Sequence, residues 1–179
     1  MKKIMLFFSG ILILSLIGCN SPIVSKTPNT ENFITTENII SKKELNTLIS
    51  SCLKNDIGLS IDNNSKVFES HELIGTEFKD NTVICYIKAF ANSYKIENDK
   101  AYESSGGEFT GIIYVKKINN HFKVTKHNFP IESKEATNLF PKKMLPKLNS
   151  IELSNLISKT ETNANNYFKE HNIKLINKN

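Results

Sequence analysis

Arginine is missing from this chain: all 23 basic residues are lysine. Without the planar guanidinium fork that makes bidentate contacts to phosphates and base edges, nucleic-acid recognition is disfavoured. A membrane-crossing apolar run is missing too. The longest apolar segment, Ile4 to Ile17, covers about 14 residues and contains Ser9, Gly10 and Ser15, against the roughly 18 to 20 that a bilayer requires. It has no amphipathic period, so it does not read as a core helix either. Paired histidines at helical spacing are absent. His71-Glu72 opens a zinc-protease motif, but Ile74-Gly75 stands where the second histidine would be needed, and no metal site is expected. Cysteine is scarce, with three in the whole chain.

What is present begins with Lys2 and Lys3, continues through that apolar segment, and closes on Gly18 beside Cys19. This is the layout of a secretory signal. The residues Leu16-Ile17-Gly18-Cys19 resemble the lipobox of bacterial lipoproteins. The resemblance implies that a diacylglycerol is attached to the Cys19 sulfur and that a peptidase cuts between Gly18 and Cys19. The freed amino group of Cys19 can then be acylated. A single acyl chain holds only marginally, at about 0.8 kcal/mol per buried methylene, so two chains on one sulfur are the minimum for durable anchoring. The expected division is a signal peptide over 1–18, a lipidated cysteine and flexible tether over 19–37, and one globular domain over 38–179. The expected location is the cell membrane, with the lipid-anchored domain outside the cytoplasm.

Loss of Lys2 and Lys3 with the signal lowers the formal net charge from +5 by two, a mild excess that points to no particular polyanion. Outside the cytoplasm Cys52 and Cys85 could form a disulfide. Yet Cys52 falls on the apolar stripe Leu45, Leu48, Ile49, Cys52, Leu53, and Cys85 alternates with Val83 and Ile87, so both read as small core residues. A bridge would require that stripe to pack over that strand with Cα atoms within about 7 Å.

Asn20 to about Thr36 is polar and aperiodic, a tether reaching roughly 25 Å by coil scaling. Ser41 with Glu44 three residues on predicts a capped helix. From Lys66 to Phe129 the pattern alternates, broken at Lys79-Asp80-Asn81, Glu97-Asn98-Asp99 and Asn119-Asn120. Four strands follow, at about 66–78, 82–96, 101–118 and 121–129, with connections too short for parallel crossovers. Gly106-Gly107 is the expected bulge. A short helix over 133–140 is stopped by Pro141, Pro146 is a second stop, and Asn149 or Ser150 caps a last helix over 151–171. The fold class is α+β: a curved four-stranded antiparallel meander with an N-terminal helix and a long C-terminal helix packed on one face, in cystatin-like or nuclear-transport-factor-like geometry.

Few residues suggest chemistry. His121 and His127 are expected on one strand face about 20 Å apart, too far to chelate one ion alone. A site assembled in space from His71, His121 or His127 with a nearby Glu stays open. Glu69, Glu72 and Glu77 spread over both faces of one strand and read as a solvated edge. Ser104-Ser105-Gly106-Gly107-Glu108 has no helix start behind it and so lacks the geometry of a phosphate cradle. No catalytic residue and no cofactor are nominated.

The segments ESHELIGTEFKDN, YKIENDK, SGGEFTGIIYVKK and ATNLFPKKML resemble an uncharacterised domain of low-GC Gram-positive bacteria, found in small secreted or lipid-anchored proteins. That domain is similar to the extracellular C-terminal part of membrane metallopeptidase sensors of the BlaR/MecR kind, and the resemblance brings no catalytic residue with it. The expected function is a membrane-anchored, non-enzymatic binding or sensing module for an unknown ligand or protein partner. The alternative is an envelope enzyme with a cleft between sheet and helices. The concave face of the sheet discriminates between them: a polar pocket there with a buried acid or histidine would favour the enzyme, and a filled apolar face the binding module.

Overall fold

Ser41 is extended, and its hydroxyl accepts the Glu44 backbone N–H at 3.1 Å. That bond satisfies one of the amides a helix N-terminus leaves open, so the chain turns helical there. Helix α1 (Lys42–Asn55) then buries Leu45, Ile49, Cys52 and Leu53, spaced so that they form one stripe. The computed structural model describes residues 39–59 and 65–176. The signal, Cys19 and the whole of the expected tether lie outside the described residues.

Strands β1 (Ser65–Lys79), β2 (Thr82–Glu97), β3 (Lys100–Ile118) and β4 (His121–Asn128) form the expected antiparallel meander in the order β1-β2-β3-β4. The turns explain the topology. Asp80-Asn81, Asn98-Asp99 and Asn119-Asn120 all have positive φ, between 48° and 64°. Two-residue turns of this hand match the twist of the flanking strands, and Asn and Asp enter that region at the lowest cost after glycine. A fifth strand, β5 (Lys174–Ile176), was not expected. β4 covers only Ile112 to Ile118 of β3, which leaves the start of that 19-residue strand with a bare edge. After the last helix the chain turns at Asn172 and pairs Lys174–Ile176 in parallel with Lys100–Tyr102. The sheet is therefore mixed, and it curls into a half-barrel.

The irregularities fall elsewhere than at Gly106-Gly107, which pair in register with Asn92 and Ala91. The extra residues are Ile74 in β1, Ser104 in β3 and Thr125 in β4. Residue 106 is glycine because strands approach closely there: a Cβ would collide with the Asn92 side chain and sit 2.6 Å from the Ala91 carbonyl oxygen. A close approach and a bulge leave the same mark in a sequence.

β2 carries no extra residue, so its alternation assigns the two faces of the sheet. Val83, Cys85, Ile87 and Ala89 pack with Ile113 and Val115 beneath α1. Tyr86, on the other face, joins Ile74, Ile112, Phe140, Met144 and Leu148. Farther along that second face Tyr94 packs with Phe68, Ala164 and Phe168. The second face is covered by α2 (Ser133–Asn138), a 3-10 turn (Lys142–Met144), α3 (Leu145–Asn149) and the long α4 (Leu153–Glu170). The helices thus divide between the faces rather than sharing one. Val83 to Ala91 is apolar at both parities apart from Lys88, the pattern of a strand buried on both sides, and alternation alone could not reveal it. Pro146 opens α3 rather than ending a helix, since a proline in the first turn sacrifices no bond. Ser150 closes that helix, its hydroxyl donating to the Lys147 carbonyl, and Glu152 takes the N-terminal position of α4 without a side-chain capping bond.

Candidate functional site

β1 is the outer strand of the meander, with α1 on one face and α4 on the other. Glu69 and His71 are two residues apart and so point to the same face, the one α1 covers. Glu69 Oε2 lies 2.8 Å from His71 Nδ1, and the two side chains are only 6% and 12% exposed. The solvated edge expected for the three glutamates holds for Glu72 and Glu77, which pair with Lys159 at 3.1 Å and Lys143 at 3.2 Å. It fails for Glu69, which lies beneath α1. Burial by itself would raise the Glu69 pKa. The hydrogen bond and charge of His71, the Ser50 hydroxyl and Lys54 outweigh it and hold the carboxyl below its ordinary value. An ionised carboxylate can only accept, so Nδ1 of His71 donates to it, and Nε2 is the ring nitrogen not committed to Glu69.

Two open hollows meet over this strand edge and share Asn46, Glu69 and His71. On the α1 side the walls are Lys42, Lys43, Thr47 and Ser50. On the α4 side they are Ser70, Ser158, Lys159, Thr162 and Asn163. Every residue lining the groove is polar or charged, and Phe, Tyr and Trp are absent from its walls. Its hydroxyls are largely committed to the fold. Thr47 donates to the Lys43 carbonyl and Thr162 to the Ser158 carbonyl. Ser70 donates to the Leu156 carbonyl at 2.6 Å, beside Thr160, whose hydroxyl has the Leu156 carbonyl, Ser70 Oγ and the Phe90 carbonyl as acceptors.

The other histidines are not brought to His71. His121 and His127 belong to β4, three strands away, or about 14 Å across the sheet. They do not share a face: the extra residue Thr125 resets the alternation, so His127 pairs opposite Ile113 and His121 opposite Ile118. His127 stacks on Phe129, and His171 on Tyr167 at 4.0 Å. Among the described residues no group of three His, Cys, Asp or Glu converges to hold a metal. Cys52 and Cys85 occupy the same cluster, the helix stripe packing over the strand face, and both thiols are free. Burial pushes each up to about 12, so neither is a ready nucleophile.

A more enclosed hollow of about 300 Å³ lies at the β5 end, between Tyr94, Glu103, Glu161 and Asn165. Burial, with Glu103 and Glu161 nearby, raises the Tyr94 phenol despite a hydrogen bond from Asn92. That hollow is lined by two carboxylates and no cationic side chain. Sequence reasoning read Glu69 as solvated because the covering helix lies some 20 residues away in the chain; the one signal of its pairing was the Glu-x-His spacing, which puts two side chains on one face of a strand.

Set against protein-family models, curated proteins and solved structures, the chain matches none.

Proposed function

We propose that this chain is an extracytoplasmic lipoprotein held at the cell membrane through Cys19, and that its domain is a non-enzymatic binding module taking a polar ligand in the groove around Glu69 and His71. The anchor is supported by the basic start, the short apolar segment and the Leu16-Ile17-Gly18-Cys19 closure. The binding reading is carried by the committed hydroxyls of the groove. Thr47, Thr162 and Ser70 each donate to a backbone carbonyl, so none is hydrogen-bonded to His71 as an activated nucleophile would be. Among the described residues the hydrogen bond recorded for His71 goes to Glu69 and none to a hydroxyl or thiol, and a base and its orienter without such a partner lack the set that covalent catalysis needs. The amides and ammonium groups of Asn46, Asn163, Lys42 and Lys43 suit a ligand rich in hydrogen-bond acceptors.

Metabolic labelling with palmitate tests the anchor. Cys19→Ala is expected to carry no label and to accumulate as uncleaved precursor; wild-type labelling of that variant overturns the reading.

A second reading, an envelope enzyme, is favoured by one observation: a buried carboxylate orients a histidine in an open groove. There His71 Nε2 would draw a proton from water. Hydrolysis of ester or amide reporters by the purified protein, lost in His71→Ala, would put this reading first.

A further inference from the structure

The lysines of the domain are unevenly placed. Lys79, Thr82, Lys116 and Lys123 are successive register partners across β1, β2, β3 and β4, so three lysines stand in one row on one face. The row lies at the end of the sheet that carries the β1–β2 and β3–β4 turns. Lys126, opposite Tyr114 in the next row, adds a fourth ammonium, 5.8 Å from that ring. All four lysines are exposed. Lys79, Lys116 and Lys126 line one shallow groove of about 550 Å³, in which Asp80 is the single acid. No carboxylate among the described residues forms an ion pair with any of the four. Lys116 directly opposite Lys123 is an unfavourable like-charge pair unless an anion shares it. At the other end of the sheet Lys95, Lys100 and Lys174 are interleaved with Glu97, Asp99 and Glu103, and Lys95 pairs with Glu97 at 2.6 Å.

The chain enters the domain near the basic end. Ile40 and Lys42 share a hollow with Gly75 and Thr76 of β1. Lys79 is three residues beyond Thr76, about 10 Å at strand rise. At most about 70 Å of extended chain separates Cys19 from Ile39.

We propose that the row Lys79, Lys116 and Lys123, with Lys126, is a docking surface for the anionic lipid headgroups of the membrane that Cys19 anchors to. It rests on the lipid-anchor reading for its biological setting. Lysine ammonium groups act as separate point charges, suited to phosphodiesters spread over a plane rather than to one bidentate ligand. Each lysine near such a surface contributes about a fivefold gain in partitioning. Anchoring holds the domain at high local concentration, so a weak surface suffices to orient it with the basic end towards the bilayer.

The test uses the mature chain carrying Cys19→Ser, so that binding does not depend on lipidation and its failure is separable from failure of the anchor. Sedimentation with vesicles of phosphatidylcholine containing about one third phosphatidylglycerol should recover the protein. Vesicles of phosphatidylcholine alone should not, and about 1 M salt, where screening acts within about 3 Å, should release it. Replacing Lys79, Lys116 and Lys123 by Gln should lower partitioning on the order of 100-fold, with an unchanged circular dichroism spectrum. Replacing Lys100, Lys169 and Lys174 by Gln removes the same charge elsewhere and should change it by less than about fivefold. Equal losses in the two triple variants would mean that net charge, not this row, binds. That result overturns the proposal, as does full binding by the first variant or complete displacement by millimolar inorganic phosphate.

Discussion

Glu69→Gln tests the buried pair most directly, because it removes the charge and keeps the volume and one acceptor oxygen. At 6% and 12% side-chain exposure the Glu69–His71 pair is outside the range of surface ion pairs, which contribute about 0–1 kcal/mol. A hydrogen bond to a charged group is worth about 1.5–3 kcal/mol net, and the amide should retain part of it. The expected loss is about 1–2 kcal/mol. For a domain of this size that lowers Tm by roughly 3–6 °C at neutral pH. The carboxyl is held below its ordinary value of 4.5 in the folded protein, so its contribution is complete above that value and is lost as pH falls through the lower folded one. The gap between wild type and Glu69→Gln should therefore be present at about pH 7 and close in solution more acidic than 4.5. Thermal melts followed by circular dichroism across that range measure it. A gap that persists unchanged into acid, or no gap at neutral pH, would refute the account of Glu69 as a buried, ionised partner of His71.

Two further outcomes follow from the packing of β3 and α4. Thr160→Val keeps the shape of a fully buried residue but deletes the hydroxyl that joins α4 to Ser70 and Phe90; it should cost about 1–2 kcal/mol in denaturant unfolding, and an unchanged midpoint would show that the network holds nothing. Gly106→Ala should cost about 1–3 kcal/mol by forcing a Cβ against the Ala91 carbonyl, whereas Gly107→Ala meets nothing within 4 Å and should be neutral or slightly stabilising. Equal effects of the two would refute the close-approach reading of Gly106.

The strands were legible because their turns are local chemistry. Each pair of Asn or Asp residues with positive φ fixes a hairpin on its own, and each strand boundary lies within about one residue of its expected place. The first helix was legible for the same reason, since Ser41 and Glu44 settle its start within four residues. What was not legible depends on distant partners. β5 forms because β4 is short, and no feature of Lys174–Ile176 itself announces a strand. The side taken by α1 is undetermined by a strand that is apolar at both parities. The faces of His121 and His127 depend on one extra residue at Thr125, which nothing in the local alternation marks.

The same distinction explains where chemistry can sit in this protein. Among the described residues the middle of the sheet is filled with side chains on both faces, and the polar hollows lie at its edges and ends. The β1 edge lies between α1 and α4, and the curvature that brings two helices to opposite sides of one strand also buries Glu69 without burying the groove around it. The turn end is left uncovered by any helix among the described residues, and there the alternation that elsewhere places apolar side chains places Lys79, Lys116 and Lys123 instead. The two features lie at separate places on the domain, so removal of the lysine row should leave the groove intact, and loss of the Glu69–His71 pair should leave vesicle binding unchanged. The proposed ligand binding and the proposed membrane orientation are therefore expected to be separable by mutation.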